Sequence, residues 1–160
     1  MKKAELGEVQ DLIYEIFVEF DRVCRKYDIK YSMEGGTLLG AVKYGDFVPW
    51  DDDIDVIMLR EEYMRFLEVA PRELHKDYFL QSYHNVPEFP LNYAKLCYTK
   101  SEIYDYDYSH LKNMSHGIFM DIFPIDDVQP QKMKNQLHLI GLLTGARKAK
   151  VNIKMGALPW

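Results

Sequence analysis

The sequence contains few cysteines and no long apolar run. Its 160 residues include two cysteines, Cys24 and Cys97, which are too few for a disulfide framework and lack the spacing of a metal site. The longest apolar stretch, residues 137–146, is interrupted by polar residues and glycines and falls short of the ~20 residues that a membrane-spanning helix needs. The first residues include several acids and no apolar block, so the pattern of a secretory signal is missing. We therefore expect a cytoplasmic protein with two reduced, buried cysteines.

Acidic residues are missing from the C-terminal segment. None follows Asp127, so this segment carries a net charge of +6 although the whole chain carries -5. A solvated helix face is the ordinary interpretation of such a segment. It also suits an anionic partner such as phosphate, lipid headgroups or nucleic acid, and peripheral contact with the anionic inner face of a membrane is a hypothesis from charge alone. No nucleic-acid motif accompanies it, and we expect no nucleic-acid partner. The basic residues of the segment are Lys132, Lys134, Arg147, Lys148, Lys150 and Lys154.

The composition favours a folded domain. Hydrophobic residues make up 48% of the chain and charged residues 28%, which is enough apolar surface for a core and excludes general disorder. The length suits one domain, so we predict a single domain over residues 1–160. Because the chain ends on Gly-Ala-Leu-Pro-Trp without a polar closing turn, we expect this domain to be incomplete at its C-terminus.

Hydrophobic periodicity predicts helices on a mixed sheet. Steps of three and four residues predict a long amphipathic helix over residues 5–27. Thr37 is expected to cap a short helix through Val42. The fold class is therefore α/β (α+β), with a mixed sheet flanked by helices. Further helices are predicted after Leu59 and from Gln131 onward, and strands at 29–33, 53–59, 78–83, 93–99, 103–106 and 118–123.

A run of acids precedes a predicted strand. Four of the five residues 51–55 are aspartate, and strand alternation places Asp53 and Asp55 on one face while Ile54 and Val56 enter the core. Two carboxylates held together need a cation, and oxygen ligands favour Mg²⁺ or Mn²⁺. The spacing does not fit a calcium loop. The alternative is a solvated acidic turn.

A second alternating stretch, residues 118–123, places Asp121 among five apolar residues. A buried acid is costly unless it is paired or bound to a metal, so Asp121 is predicted as the third metal ligand. The alternative is that Asp121 pairs with Lys95 or caps a turn. Three acids from two strands can hold one or two metal ions, which would polarise a phosphoryl group.

The glycine pair before Thr37 is a candidate phosphate site. Gly35 and Gly36 lie at a strand-to-helix turn, where free backbone N–H groups attract anions. A Gly-Gly pair alone is weak evidence. An Asp-x-Asp strand within twenty residues strengthens the prediction, because both elements then border one cleft.

These motifs resemble a known family. Residues 35–43 (GGTLLGAVK), 47–55 (FVPWDDDID) and 117–124 (GIFMDIFP) resemble the LicD family of phosphocholine transferases related to fukutin, and the resemblance extends over residues 5–127. It implies a nucleotidyltransferase fold. It also implies transfer of a phospho-alcohol, typically phosphocholine, from a CDP-linked donor to a cell-surface glycan such as lipopolysaccharide or teichoic acid.

The resemblance assigns roles to individual residues. Asp53 and Asp55 would be the first metal pair and Asp121 the third carboxylate, while Gly36 and Thr37 would contact the donor's phosphates. The family usually has Arg-His where this chain has Lys43-Tyr44. Lys43 would therefore offer a point charge in place of a bidentate guanidinium.

Three further residues are candidates for the same site. Lys95 is predicted to neutralise a donor phosphate, with an ordinary strand-edge lysine as the alternative. Trp50 is predicted to stack on cytosine, with a packing anchor as the alternative. Asp51 has the same parity as Asp53 and Asp55 and is a fourth candidate ligand, or orients the metal site from outside.

Two other functions remain open at the level of sequence. The fold also suits a nucleotidyltransferase that uses an NTP and releases pyrophosphate. A non-catalytic module that binds a glycan or a partner while keeping the fold is the alternative from another class.

Overall fold

The computed structural model describes residues 4–103, 108, 110–127 and 141–142. Helices and strands alternate along the first half of this part of the chain, and strands predominate in the second. The helices are α1 (Leu6–Lys26), α2 (Gly35–Lys43) and α3 (Arg60–Glu73). The strands are β1 (Ser32–Met33), β2 (Asp55–Leu59), β3 (Tyr78–Gln81), β4 (Ala94–Tyr98) and β5 (Phe119–Ile125).

The five strands form one mixed sheet, which confirms the predicted fold class. Their order is β1-β2-β5-β4-β3. Strands β2 and β5 run parallel, whereas the other neighbouring pairs are antiparallel. The strands that carry Asp55 and Asp121, two of the predicted metal ligands, are therefore neighbours in the middle of the sheet.

The main core lies between one face of the sheet and helices α1 and α3. Ile16 and Phe20 of α1 are fully buried against the sheet residue Val56 and the α3 residue Phe66. The apolar stripe of α1 follows the predicted period, and the Glu8 carboxylate accepts a hydrogen bond of 3.0 Å from the Glu5 N–H at its start. Because strand side chains alternate, burying one side of the sheet in this core turns the acids toward the other side.

A second, smaller core lies beside the other face. It consists of Val86, Phe89, Leu91, Leu111 and Met114. Gln81 connects it to the sheet, since its Nε2 donates to the Ser115 carbonyl at 3.2 Å and its Oε1 accepts from the Ser115 N–H at 2.8 Å.

Several predicted boundaries are wrong. The strand predicted at 29–33 is limited to Ser32–Met33, and the strand predicted from Asp53 begins at Asp55. Helix α2 begins at Gly35 with Glu34 as its N-cap residue, so Thr37 does not cap it. Thr37 lies inside the first turn of α2. Its hydroxyl accepts a hydrogen bond of 2.9 Å from the Asp55 N–H instead.

Two predicted elements fall largely outside the described residues. Ile103 has no regular secondary structure, and the rest of the strand predicted at 103–106 is not described. The helix predicted from Gln131 onward also lies outside the described residues, apart from 141–142, and so does most of the basic segment. In the described part of the chain, no helix combines the length and apolarity needed to cross a membrane.

Candidate active site

A row of polar side chains crosses the sheet on the face away from α1. Asp55 on β2 pairs directly with Asp121 on β5, Asp121 with Lys95 on β4, and Lys95 with Gln81 on β3. Directly paired residues share a face, so these four side chains form one continuous strip. The Asp121 N–H donates to the Ile54 carbonyl at 3.0 Å, which fixes the register at this point.

Asp121 and Lys95 form a largely buried ion pair, which is the pairing that the sequence offered as an alternative for Asp121. The assignment of Asp121 as a metal ligand stays a prediction. The Lys95 Nζ lies 3.1 Å from Asp121 Oδ1 and donates a hydrogen bond of 3.4 Å to Oδ2. The 3.1 Å contact with Oδ1 lacks the angles of a hydrogen bond, so Oδ1 is a buried oxygen that accepts no hydrogen bond. Burial raises the pKa of Asp121, and the charge and hydrogen bond of Lys95 oppose that shift.

Asp55 is the most strongly perturbed carboxyl of the row. Burial, together with repulsion from Asp53 and Asp121, raises its pKa to about 6. Smaller repulsions come from Glu34 and Asp51. A carboxyl in such an environment is unfavourable as an anion, and a nearby cation would relieve the repulsion.

The three successive acids before β2 form a tight set. One oxygen from each of Asp51, Asp52 and Asp53 lies within 4.8 Å of the others. Asp53 is exposed, although nearby protein atoms take some of the water from its carboxyl group. This partial desolvation, followed by repulsion from Asp51 and Asp52, raises the pKa of Asp53. The described residues show no equally close set made by Asp53, Asp55 and Asp121. The assignment of these three as joint ligands stays a prediction.

The conformation and contacts at the start of α2 explain why two glycines stand there. Gly35 has φ +55°, in the left-handed region that favours glycine. A Cβ on Gly36 would collide with the carboxylate of Asp51, so glycine lets the start of α2 approach the acid run. The first N–H groups of a helix have no partner within it, and those of Gly35, Gly36 and Thr37 are therefore available to an anion beside the acids.

Lys43 and Trp50 are placed differently from the rest of the site. Lys43 is exposed in the last turn of α2, with its Nζ 5.1 Å from the Tyr44 ring centroid, at the end of the helix opposite to the glycines. Trp50 is 75% exposed next to the acid run, so it does not act as a packing anchor. Their contacts with a substrate stay predictions.

Sequence reasoning missed two residues that shape the site. Glu34 raises the pKa of Asp55, and its N–H donates to the Asp55 carbonyl at 3.1 Å. Gln10 of α1 donates from Nε2 to the Asp51 carbonyl at 2.8 Å and so anchors the acid run to the helix. The position of Glu34 directly before the glycine pair was a usable signal, whereas the bond from Gln10 depends on a long-range contact.

The residues present fit a hard divalent cation. The acids offer only oxygen, which Mg²⁺ and Mn²⁺ prefer. A buried oxygen of Asp121 lacks a hydrogen bond, and mutual repulsion raises the pKa of Asp55. An added positive charge would stabilise the Asp121 oxygen and would relieve the repulsion at Asp55.

Comparison with known proteins decides the family. Residues 28–147 match the family described as LicD/FKTN/FKRP, nucleotidyltransferase domain. The chain belongs to the LicD family. This confirms the resemblance carried by the glycine pair and the two acidic strands, both of which lie within the matched residues.

Relatives of this LicD-family chain are named for their activities. It is 39% identical over 129 residues, or 80% of its length, to the lipopolysaccharide cholinephosphotransferase LicD of Haemophilus influenzae. It is 47% identical over 34 residues, or 21% of its length, to the ribitol 5-phosphate transferase FKRP of mouse and of human. These matches cover 47% of the Haemophilus protein and 7% of each FKRP. The chain therefore spans about half the length of the first of these relatives.

Proposed function

We propose that this chain is a divalent-metal-dependent transferase that moves a phospho-alcohol, phosphocholine, from a CDP-linked donor to a cell-surface glycan such as lipopolysaccharide or teichoic acid. The names of the Haemophilus and FKRP relatives support the transfer of a phospho-alcohol. The metal and the CDP-linked donor are proposed from the chemistry of the site.

The observation that carries the proposal is the pairing of Asp55 with Asp121 on neighbouring parallel strands. Both pKa values are raised, and one Asp121 oxygen is buried without a hydrogen bond. Two such carboxylates near the glycine-rich start of α2 support a site that binds a cation and a phosphate together.

In this proposal each element has one task. Asp53, Asp55 and Asp121 would hold Mg²⁺ or Mn²⁺, with Asp51 as a fourth candidate. When bound, the ion would supply Lewis-acid stabilisation of charge on the phosphoryl oxygens. The N–H groups of Gly35, Gly36 and Thr37 would bind and orient the donor's phosphates through the positive end of α2.

The reaction needs a base for the attacking hydroxyl. In an in-line displacement at the β-phosphate, the glycan oxygen forms a bond to phosphorus, the bond to the CMP oxygen breaks, and CMP leaves. One of the aspartates accepts the proton of the glycan hydroxyl.

Product analysis tests the proposed function. Incubating the protein with CDP-choline, Mg²⁺ and lipopolysaccharide or teichoic acid should release CMP and transfer phosphocholine to the glycan. An NTP-using nucleotidyltransferase would instead release pyrophosphate, and a non-catalytic module would release neither product. Asp55→Asn should abolish CMP release, whereas Asp126→Asn, which changes an exposed aspartate paired with Arg60, should retain it.

We also propose that the basic segment from Lys132 to Lys154 holds the protein against the anionic inner face of a membrane, where lipid-linked acceptors would be within reach. Its net charge supports this proposal. Co-sedimentation with vesicles that contain phosphatidylglycerol should exceed co-sedimentation with phosphatidylcholine vesicles. Equal amounts with both would contradict membrane contact.

A further inference from the structure

Lys95 is the basic member of the polar row and is 7% exposed. Its Nζ lies 3.2 Å from the centroid of the Phe119 ring and 5.7 Å from that of Tyr93, in addition to its contact with Asp121. An ammonium group in this position has exchanged water for a carboxylate and aromatic faces. It is a fixed charge with little room to move.

The register determines the side from which Lys95 approaches. Strand β5 has β2 on one side and β4 on the other, so Lys95 reaches Asp121 from the side opposite to Asp55. A cation bound between Asp55 and Asp121 would share the Asp121 carboxylate with this ammonium. Two positive charges on one carboxylate repel each other, and the repulsion is strong where water is excluded.

We propose that Lys95 is a positioning residue that sets the metal affinity of the site. Its ammonium holds the Asp121 side chain in place without an ion and, as a fixed positive charge, weakens the binding of a divalent cation. The inference rests on the proposed function and deepens it. It assigns Lys95 to the metal, where the sequence predicted a contact with the donor's phosphate.

Titration of Mn²⁺ into the full chain, without donor and followed by calorimetry, tests this role. Lys95→Gln removes the charge and keeps an N–H group that can donate to Asp121. This variant should bind Mn²⁺ at least about tenfold more tightly than the unmodified chain. Lys95→Arg keeps the charge and should stay within about threefold of the unmodified chain. Lys100→Gln is the matched control, since Lys100 is exposed and pairs with Asp77 at 2.6 Å; it should leave Mn²⁺ affinity unchanged.

Unchanged or weaker Mn²⁺ binding by folded Lys95→Gln overturns the inference, and so does the absence of Mn²⁺ binding by every variant. If Lys95→Gln does not fold, Lys95→Met gives the same test, because methionine can pack on the Phe119 ring without a charge. A direct phosphate contact would leave Mn²⁺ affinity unchanged in Lys95→Gln and weaken CDP-choline binding, which also overturns the inference.

The two proposals fail separately. The proposed function fails if the unmodified protein binds Mn²⁺ yet releases no CMP with any CDP-alcohol and acceptor. The role of Lys95 fails on the Mn²⁺ affinities alone, which are measured without donor and do not depend on turnover.

Discussion

Asp55 couples the chemistry of the site to the stability of the fold. Its pKa of about 6 lies above the 3.8 of an ordinary aspartate because of burial and neighbouring acids. Between these two values the folded chain binds more protons than the unfolded chain. The free energy of unfolding therefore falls as the pH rises through this window, and the ionised carboxylate is a destabilising group at neutral pH.

Asp55→Asn should remove this pH dependence. In the presence of a chelator, we expect the variant to have a higher melting temperature than the unmodified protein at pH 7 and a similar one at pH 4. Thermal unfolding followed by circular dichroism at both pH values measures the effect. Asp126→Asn should behave oppositely, because Arg60 lowers the pKa of Asp126 and its ionised form is stabilising. Parallel pH profiles for Asp55→Asn and the unmodified protein would contradict the raised pKa.

Trp50 offers a test that separates binding from folding. Because its side chain is 75% exposed, Trp50→Ala should change the free energy of unfolding by less than about 0.5 kcal/mol. If the ring stacks on the base of the donor, affinity for CDP-choline should fall by about 2- to 10-fold. Chemical denaturation and calorimetric titration give the two numbers. A large loss of stability would show instead that the indole packs against the fold.

At the scale of elements, α2 and the loop that follows it place the acid run. Gly40 is buried in α2, and a Cβ there would lie 2.6 Å from the Asp46 carbonyl oxygen and 2.9 Å from the Val48 nitrogen. Both neighbours are backbone atoms, so they cannot turn away as a flexible side chain can. The close approach holds residues 46–48 against α2 and so fixes where the chain enters the acid run.

Gly40→Ala should therefore be destabilising by about 1–3 kcal/mol through overpacking, and it should weaken Mn²⁺ binding by displacing the loop. Gly7→Ala is the matched control, because Gly7 lies in α1 with open space around it. That control should stabilise the protein by about 0.5–1 kcal/mol. Urea denaturation compares the variants; a neutral Gly40→Ala would mean that the loop moves freely.

The sequence predicted the elements better than their ends. The apolar stripe of α1 and the alternation in β5 are local patterns, and the structure confirms both. The start of α2 could not be placed by the preference of Thr37 for helix caps, because the hydroxyl of Thr37 is used by Asp55. A tertiary hydrogen bond of this kind is absent from any local pattern.

At the scale of the whole molecule, the candidate site depends on strand order. Asp55 and Asp121 become neighbours because β5 inserts between β2 and β4. The sequence indicated that both residues were unusual acids, since each alternates with apolar residues. It did not determine which strands are adjacent, because register and order depend on contacts between distant parts of the chain.

Lys95 shows the same dependence on strand order. In the sequence it is a lysine in a tyrosine-rich strand, and its charge suggests contact with an anionic substrate. Its position beside Asp121 follows from the antiparallel pairing of β4 with β5. The family and the acidic motifs could thus be predicted, whereas the pairing of charges required the structure.

The central claim is that the acids and the glycine-rich helix start bind a CDP-linked donor together with a divalent cation. Calorimetric titration of CDP-choline, with and without Mg²⁺, tests it most directly, with the Asp53→Asn/Asp55→Asn double variant and Asp126→Asn as controls. We expect Mg²⁺-dependent binding by the unmodified protein and by Asp126→Asn, and none by the double variant. Equal binding with and without Mg²⁺, or full binding by a folded double variant, would contradict the claim.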